Sequence, residues 1–519
     1  MFKGKFSFVV ACFFLYTFFN AQLFAAKYHS VEDMLSAQNK IRVLIDVAPG
    51  FGNQAATVNM MNRMRQLHFK GTYEIIYPDI IKDKVISLFN LPKLLPEVYH
   101  FQDANGKIDF ILESYYIKQL NNNLVEPISL GFSGAHDSDA ITNCYDQPNC
   151  DSSRYCEDEE NCNHFDNFAE YTNAKVYVEL QPWYDQDMAQ DYIAVPNTDE
   201  KIAVEPRGKY LIYPFAKFAD AKNYLENTQA GRDFELKHPG LQTLVNRISR
   251  QEINFLSVYG YAFLKQYNSA QEKEYPFPQN ILQVLTAARV VQLSEGQFAK
   301  PIVVAVYYNY KTEIDELNGL LNSTNWGEYE ASGGPQARDA INAVKLNDSR
   351  VFSMASVGDP DVNQKIKSLA PGQVLLLATG PLPKVVFDGL YSYTGANILP
   401  AIREGEGTLS MLLQTGLPHF RCTSFFDPDE GNWELGFDLV KDPKLKQELT
   451  SFYGENGFCD IDSWKNNPGI YKKLGGYMID AKKLTSPISK YFTDLKADTA
   501  NLRNDRIYRG LEEAVKVIE

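Results

Sequence analysis

Apolar and polar positions along the chain repeat one phrase: a short apolar run, a glycine-marked break, a helical stripe and a second short run. The first phrase opens at Ile41. Residues 41–48 gather β-branched side chains as a buried strand does, and Pro49-Gly50-Phe51-Gly52 turns the chain. From Asn53, Val58, Met61, Met64 and Leu67 recur at helical spacing, and Thr72 to Tyr77 returns as a strand. The second phrase is sharper. Asn397 to Ile402 is long enough for a buried strand and too short for a helix. Gly405 and Gly407 mark the turn, and Thr408 stands where an N-cap is expected. Leu409, Leu412 and Leu413 form the stripe, Gly416 and Pro418 stop it, and the chain returns through His419 to Cys422.

Between and around these phrases the alternation continues. Pro127 to Asp139 reads as a strand running into a glycine-bearing polar loop, and Val176 to Leu180 and Ala203 to Tyr213 read as further strands. Ile253 to Tyr259, Ile302 to Tyr308 and Val374 to Ala378 are apolar strands, with helical patterns at Asn280 to Leu293 and Pro383 to Tyr391. After Asp427 the pattern turns helical and polar, through Lys441 to Tyr453 and Lys496 to Glu519. Strands alternating with helices predict parallel, doubly wound sheets. A chain of 519 residues exceeds what one core usually organises. The expected fold class is therefore α/β, with two Rossmann-like domains at 27–248 and 249–430 and C-terminal helices at 431–519. The boundary is expected between about Gly240 and Glu252.

The first 26 residues break the rhythm. Lys3 and Lys5 precede an almost wholly apolar stretch from Phe6 to Phe19, and Ala25-Ala26 offers a cleavage site, so 1–26 reads as a signal peptide. The expectation is an exported protein, secreted or periplasmic, with no membrane span in the mature form. Cysteine usage agrees. Of the seven cysteines, Cys12 lies in the leader. Cys144, Cys150, Cys156 and Cys162 recur at even spacing in an acidic loop (144–162), with Cys422 and Cys459 beyond it. In an oxidising compartment such a loop is stapled by disulfides, with the pairing open. Zinc sites need closer ligand pairs, so no metal is expected. A net charge of −14 argues against nucleic acid and anionic membranes as partners. Asn322-Ser323-Thr324 and Asn347-Asp348-Ser349 match the N-glycosylation pattern of eukaryotic secretory proteins.

A glycine turn opening a helix presents backbone N–H groups that attract phosphate, and glycine lets a ligand come close to the backbone. Arg403, Glu404, Gly405, Gly407 and Thr408 are thus candidate anion-binding residues, and Lys384, after the Gly380 turn, is another. Gly50, Gly52 and Ala55 fit a G-x-G-x-x-A pattern, with Asp79 at dinucleotide spacing. That pattern alone would suggest NAD, which an exported protein seldom meets. In the loop after Pro127, His136 beside Asp137 is the candidate general base, since imidazole titrates near neutrality.

Gly407-Thr408 followed by Gly416-x-Pro418 resembles the nucleotide-sugar signature of GT-B glycosyltransferases, closest to bacterial enzymes that add N-acetylglucosamine to a cell-wall lipid. The resemblance is confined to residues 403–418. It implies two Rossmann-like domains, with the first glycine turn (Gly50, Gly52) and the second (Gly405, Gly407) facing one cleft and the last helix crossing back to the first domain. It also implies a nucleotide-sugar donor as substrate, an unknown acceptor and no resident cofactor. The family's ribose-holding acid falls at Met411, and Glu404 or Glu406 is the substitute the turn offers. The other function class compatible with these residues is a non-catalytic, two-lobed binding protein that retains the fold.

Overall fold

The structure, a computed structural model, describes residues 28–45, 52–89, 91–92, 94–103, 106–134, 168–180, 191–198, 202–204, 208–259, 277–296, 299–307, 311–322, 334–403, 406–421, 439–447 and 468–518. The leader, Gly50, His136, Asp137, Glu404, Gly405 and all the cysteines lie outside them. No helix among the described residues is long and apolar enough to cross a membrane. The chain divides into two compact units, Met1–Leu211 with Asp505–Glu519, and Ile212–Asn504.

The first unit is built on an eight-stranded sheet, and its strands in chain order are β1 (Lys40–Leu44), β2 (Thr72–Tyr77), β3 (Val98–Asp103), β4 (Gly106–Leu112), β5 (Ile128–Gly134), β6 (Ala174–Leu180), β7 (Tyr192–Ala194) and β8 (Ile202–Ala203). They lie in the order β3-β4-β2-β1-β5-β6-β7-β8. The central strands β4, β2, β1, β5 and β6 are parallel, while β3 pairs antiparallel with β4 and β7–β8 continue antiparallel from β6. The strand order reverses at β1–β5, which is the topological switch point. The helix Gly52–Gln66 lies on one face, where Tyr73 hydroxyl donates to the Met61 carbonyl at 2.7 Å. On the other face Leu44, Ile76 and Tyr177 pack with Tyr116, Phe168 and Tyr171 from the helices Glu113–Asn121 and Phe168–Tyr171.

In the second unit the strands are β9 (Asn254–Val258), β10 (Ile302–Val306), β11 (Phe352–Ser356), β12 (Val374–Ala378), β13 (Ala401–Arg403) and β14 (His419–Arg421). All are parallel, in the order β11-β12-β10-β9-β13-β14. Leaving aside the edge strand β11, the order is that of a doubly wound sheet, with its switch point between β9 and β13. One face is covered by the helices Phe218–Asn227, Leu241–Ser249, Val362–Ser368, Lys384–Tyr391 and Glu406–Thr415, whose apolar residues join Phe255, Val303, Ala305 and Leu377 in one core. The helices Phe277–Ser294 and Ile470–Ala481 pack together on the other.

Two parallel-rich α/β units match the expected fold class. The helix Arg506–Ile518 belongs to the first unit although it ends the chain, as the resemblance implied. Residues 212–249, which carry the helices before β9, cluster with the second sheet, so the division falls before those helices and not at the strand they precede. Three local readings are corrected. Among the described residues of the stretch Ala203 to Tyr213 there is no strand beyond the short β8. The apolar residues of that stretch are spent on single contacts, such as the bridge from Tyr210 to Asp505. The strand expected at 397–402 is interrupted: Ile398 makes one bridge to Phe255, and β13 proper covers only Ala401–Arg403. Around that bridge the Asn397 carbonyl accepts the Phe255 N–H at 2.9 Å, and the Asn397 side-chain amide donates to the carbonyls of Ile248 (3.1 Å) and Ile253 (2.6 Å). The helix expected to be capped by Thr408 starts at Glu406, which makes Thr408 its third residue.

Candidate functional site

At the switch point of the second sheet, β9 and β13 end together. Ile402 pairs with Val258, and the Ile402 carbonyl accepts both the Tyr259 N–H (3.0 Å) and the Tyr391 hydroxyl (2.6 Å). This double acceptance fixes the end of β13, so the residue after it has little freedom. That residue is Arg403, 1% exposed although it carries a full charge. Opposite it in the ladder stands Arg421. Alternation puts Arg403 on the face of Ala401 and His419. The His419 ring is buried, and its Nδ1–H donates to the Leu417 carbonyl at 2.9 Å. Burial, then the charge of Arg403, push this imidazole down to about 3, so it stays neutral and adds no cation.

The helix Glu406–Thr415 follows Arg403 at once, so its positive end lies beside this edge. Gly407 is exposed and takes no positive φ, and among the described residues a Cβ placed on it would meet only the Tyr213 hydroxyl, at 3.8 Å. Neither conformation nor packing calls for glycine there. Tyr213 hydroxyl donates to the Gly407 carbonyl. Thr408 is 5% exposed, and Met411, at the position of the expected ribose acid, is packed in the core with Leu412 and Leu417. Lys384 lies beyond the Gly380 turn, where φ is +64°, and its ammonium is bound by Asp388 at 2.8 and 3.0 Å. Asp388 also accepts the Ala216 N–H, so Lys384 serves a buried carboxylate of its own helix.

The first switch point is arranged differently. Gly52 opens the helix Gly52–Gln66, and Thr57 hydroxyl donates to the Gly134 carbonyl at the end of β5. A Cβ on Gly134 would meet Met60 Sδ at 2.6 Å, so packing alone requires that glycine. His136 and Asp137 follow β5 in the chain, outside the described residues. At the carboxyl end of β4, Glu113 accepts the Tyr171 hydroxyl at 2.7 Å. Burial first, with the charge of Asp79 adding to it and the Tyr171 bond opposing, pushes Glu113 up to about 7.

Sequence spacing did not find Tyr213, Tyr391, Arg421 or Glu113. Tyr213 lies 194 residues from Gly407, and nothing in its neighbourhood signals the contact. Arg421 was legible in principle, since two short strands flanking one helix pair in register.

The chain matches no family model and no curated protein sequence. Solved structures overlap it loosely. An α,α-trehalose-phosphate synthase (UDP-forming) from Burkholderia vietnamiensis is 8% identical over 88% of this chain and 100% of that one, with a TM-score of 0.29. The N-terminal domain of trehalose-6-phosphate phosphatase from Candida albicans is 8% identical over 93% and 99%, at 0.33. An E. coli trehalose-6-phosphate structure bound with UDP-2-fluoro glucose is 7% identical over 88% and 99%, at 0.26. At such scores the likeness is one of outline, and no chemistry here rests on it.

Proposed function

We propose that the second unit binds the diphosphate of a nucleotide sugar at the carboxyl edge of β13, and that the chain is a glycosyltransferase-like protein. The observation that carries this reading is Arg403, a buried cation at the strand end of the switch point, shortly before the positive end of the helix Glu406–Thr415. The positive end of the helix Glu406–Thr415 and the unneeded glycine at 407 support the same ligand. In the reaction the bond between the sugar's anomeric carbon and the diphosphate oxygen breaks, and the electron pair leaves with the diphosphate. The acceptor hydroxyl oxygen forms the new bond and yields its proton to a base, for which His136, with Asp137, is the candidate. Arg403 and the helix end stabilise the departing charge. The leader 1–26 would place this activity outside the cytoplasm or in a lumen that holds the donor. Thiol counting on the unreduced secreted chain tests that part, with no free thiol expected.

The direct test is calorimetry with UDP and GDP. Arg403→Ala is expected to weaken binding about 10-fold or more with the fold intact. If the wild type binds no nucleoside diphosphate, the reading fails. Burial of Met411 at the ribose position favours a second reading, a binding protein that keeps the diphosphate site without transfer. Tight UDP binding without turnover of any UDP-sugar would select it.

A further inference from the structure

The chain passes from the first unit to the second between Leu211 and Ile212. On the first-unit side, Tyr210 is held by backbone: it bridges to Asp505, and its carbonyl accepts the Arg506 N–H at 2.8 Å. Asp505 and Arg506 are themselves fixed. Asp505 pairs with Arg63 at 2.8 Å and caps the N–H groups of Ile507 and Tyr508, and Arg506 pairs with Asp191 at 2.7 Å. Three residues after Tyr210 comes Tyr213, buried, with its hydroxyl on the Gly407 carbonyl. The segment is thus hydrogen-bonded on its first-unit side to ion-paired residues and on its second-unit side to the first turn of the helix Glu406–Thr415.

The acceptor of that last bond matters. The Gly407 carbonyl and the Thr408 N–H are two ends of one peptide group. A hydrogen bond accepted at the oxygen polarises the group and strengthens its N–H as a donor, by about 10–30%. We infer that Tyr213 is a positioning residue for the anion turn: it holds the Gly407–Thr408 peptide and ties ligand binding there to the order of the crossing segment 208–217. This rests on the diphosphate reading above and adds to it a residue and a consequence. Tyr213 touches no reacting atom. It acts through the peptide, and its effect reaches a segment where no ligand atom is needed.

Hydrogen exchange followed by mass spectrometry on the full chain, with and without saturating UDP or GDP, tests it. In the wild type, nucleotide is expected to slow exchange at 406–410 and also at 208–217. In Tyr213→Phe, slowing is expected at 406–410 alone, with affinity about fivefold lower, the worth of one hydrogen bond. Slowing confined to 406–410 in the wild type would overturn the inference and leave the binding reading standing. So would a Tyr213→Phe variant that still slows exchange in both segments. Absence of slowing at 406–410 with either nucleotide would remove the binding reading and this inference together. The wild-type comparison decides even if the variant does not fold.

Discussion

Each sheet carries a fully buried arginine on a strand flanking its switch point, Arg42 on β1 and Arg403 on β13. Arg42 is answered from within the fold. Glu74 stands opposite it in register and accepts its Nε–H at 2.8 Å, and the carbonyls of Thr172 and Glu126 take the rest of the guanidinium. Burial pushes Glu74 up, yet Arg42 and Lys40 together hold its carboxyl below the usual range. Arg403 stands opposite another arginine, with a neutral imidazole on the same face. Two arginines equally withdrawn from water therefore sit in different settings. The first is met by an acid across the ladder, and the second is the one the proposed diphosphate would meet.

The comparison can be broken from the structural side first. Arg42→Ala leaves Glu74 buried without its main partner, and the expected cost is about 3–5 kcal/mol in chemical denaturation. A loss under about 1 kcal/mol would show that Arg42 is not the internal answer it looks like. Arg403→Ala is expected to leave the denaturation midpoint nearly unchanged while nucleotide affinity falls about 10-fold, worth about 1.4 kcal/mol. Equal destabilisation by both substitutions would erase the distinction.

pH sharpens the contrast within the first unit. Glu113 is pushed up to about 7 in the fold, above its ordinary value of 4.5. The protonated form is the one the fold prefers, so its contribution is complete below about pH 4.5 and is lost as pH rises through about 7. Glu74, held low, contributes in the opposite sense and is lost as pH falls. Glu113→Gln should therefore raise the melting temperature at pH 8 and change it little at pH 4. A variant that melts lower at pH 8 would contradict this.

How far the sequence carried these points follows from physics. Both strand–turn–helix phrases were legible because apolar period and glycine are local signals. The centres of both sheets followed from them. The antiparallel edges β3 and β7–β8 were not, because pairing partners are set by tertiary register. Arg403 was legible from its place at a strand end, whereas its neighbours Tyr391 and Tyr213 arrive from distant sequence. Lys384 looked like a phosphate ligand because it follows the Gly380 turn, although Asp388, its partner one turn on, lies in the same predicted helix.

Gly407 tests the central claim most directly, because fold and ligand make opposite demands there. With helical backbone and no described atom nearer its Cβ position than the Tyr213 hydroxyl at 3.8 Å, Gly407→Ala should stabilise the protein by about 0.5–1 kcal/mol if the fold alone matters. If a diphosphate approaches that turn, the added methyl should also weaken UDP or GDP binding. The measurement is a thermal melt and a calorimetric titration on the same two proteins. The account predicts a variant that melts higher and binds more weakly. A variant that melts higher and binds as well as the wild type would contradict it.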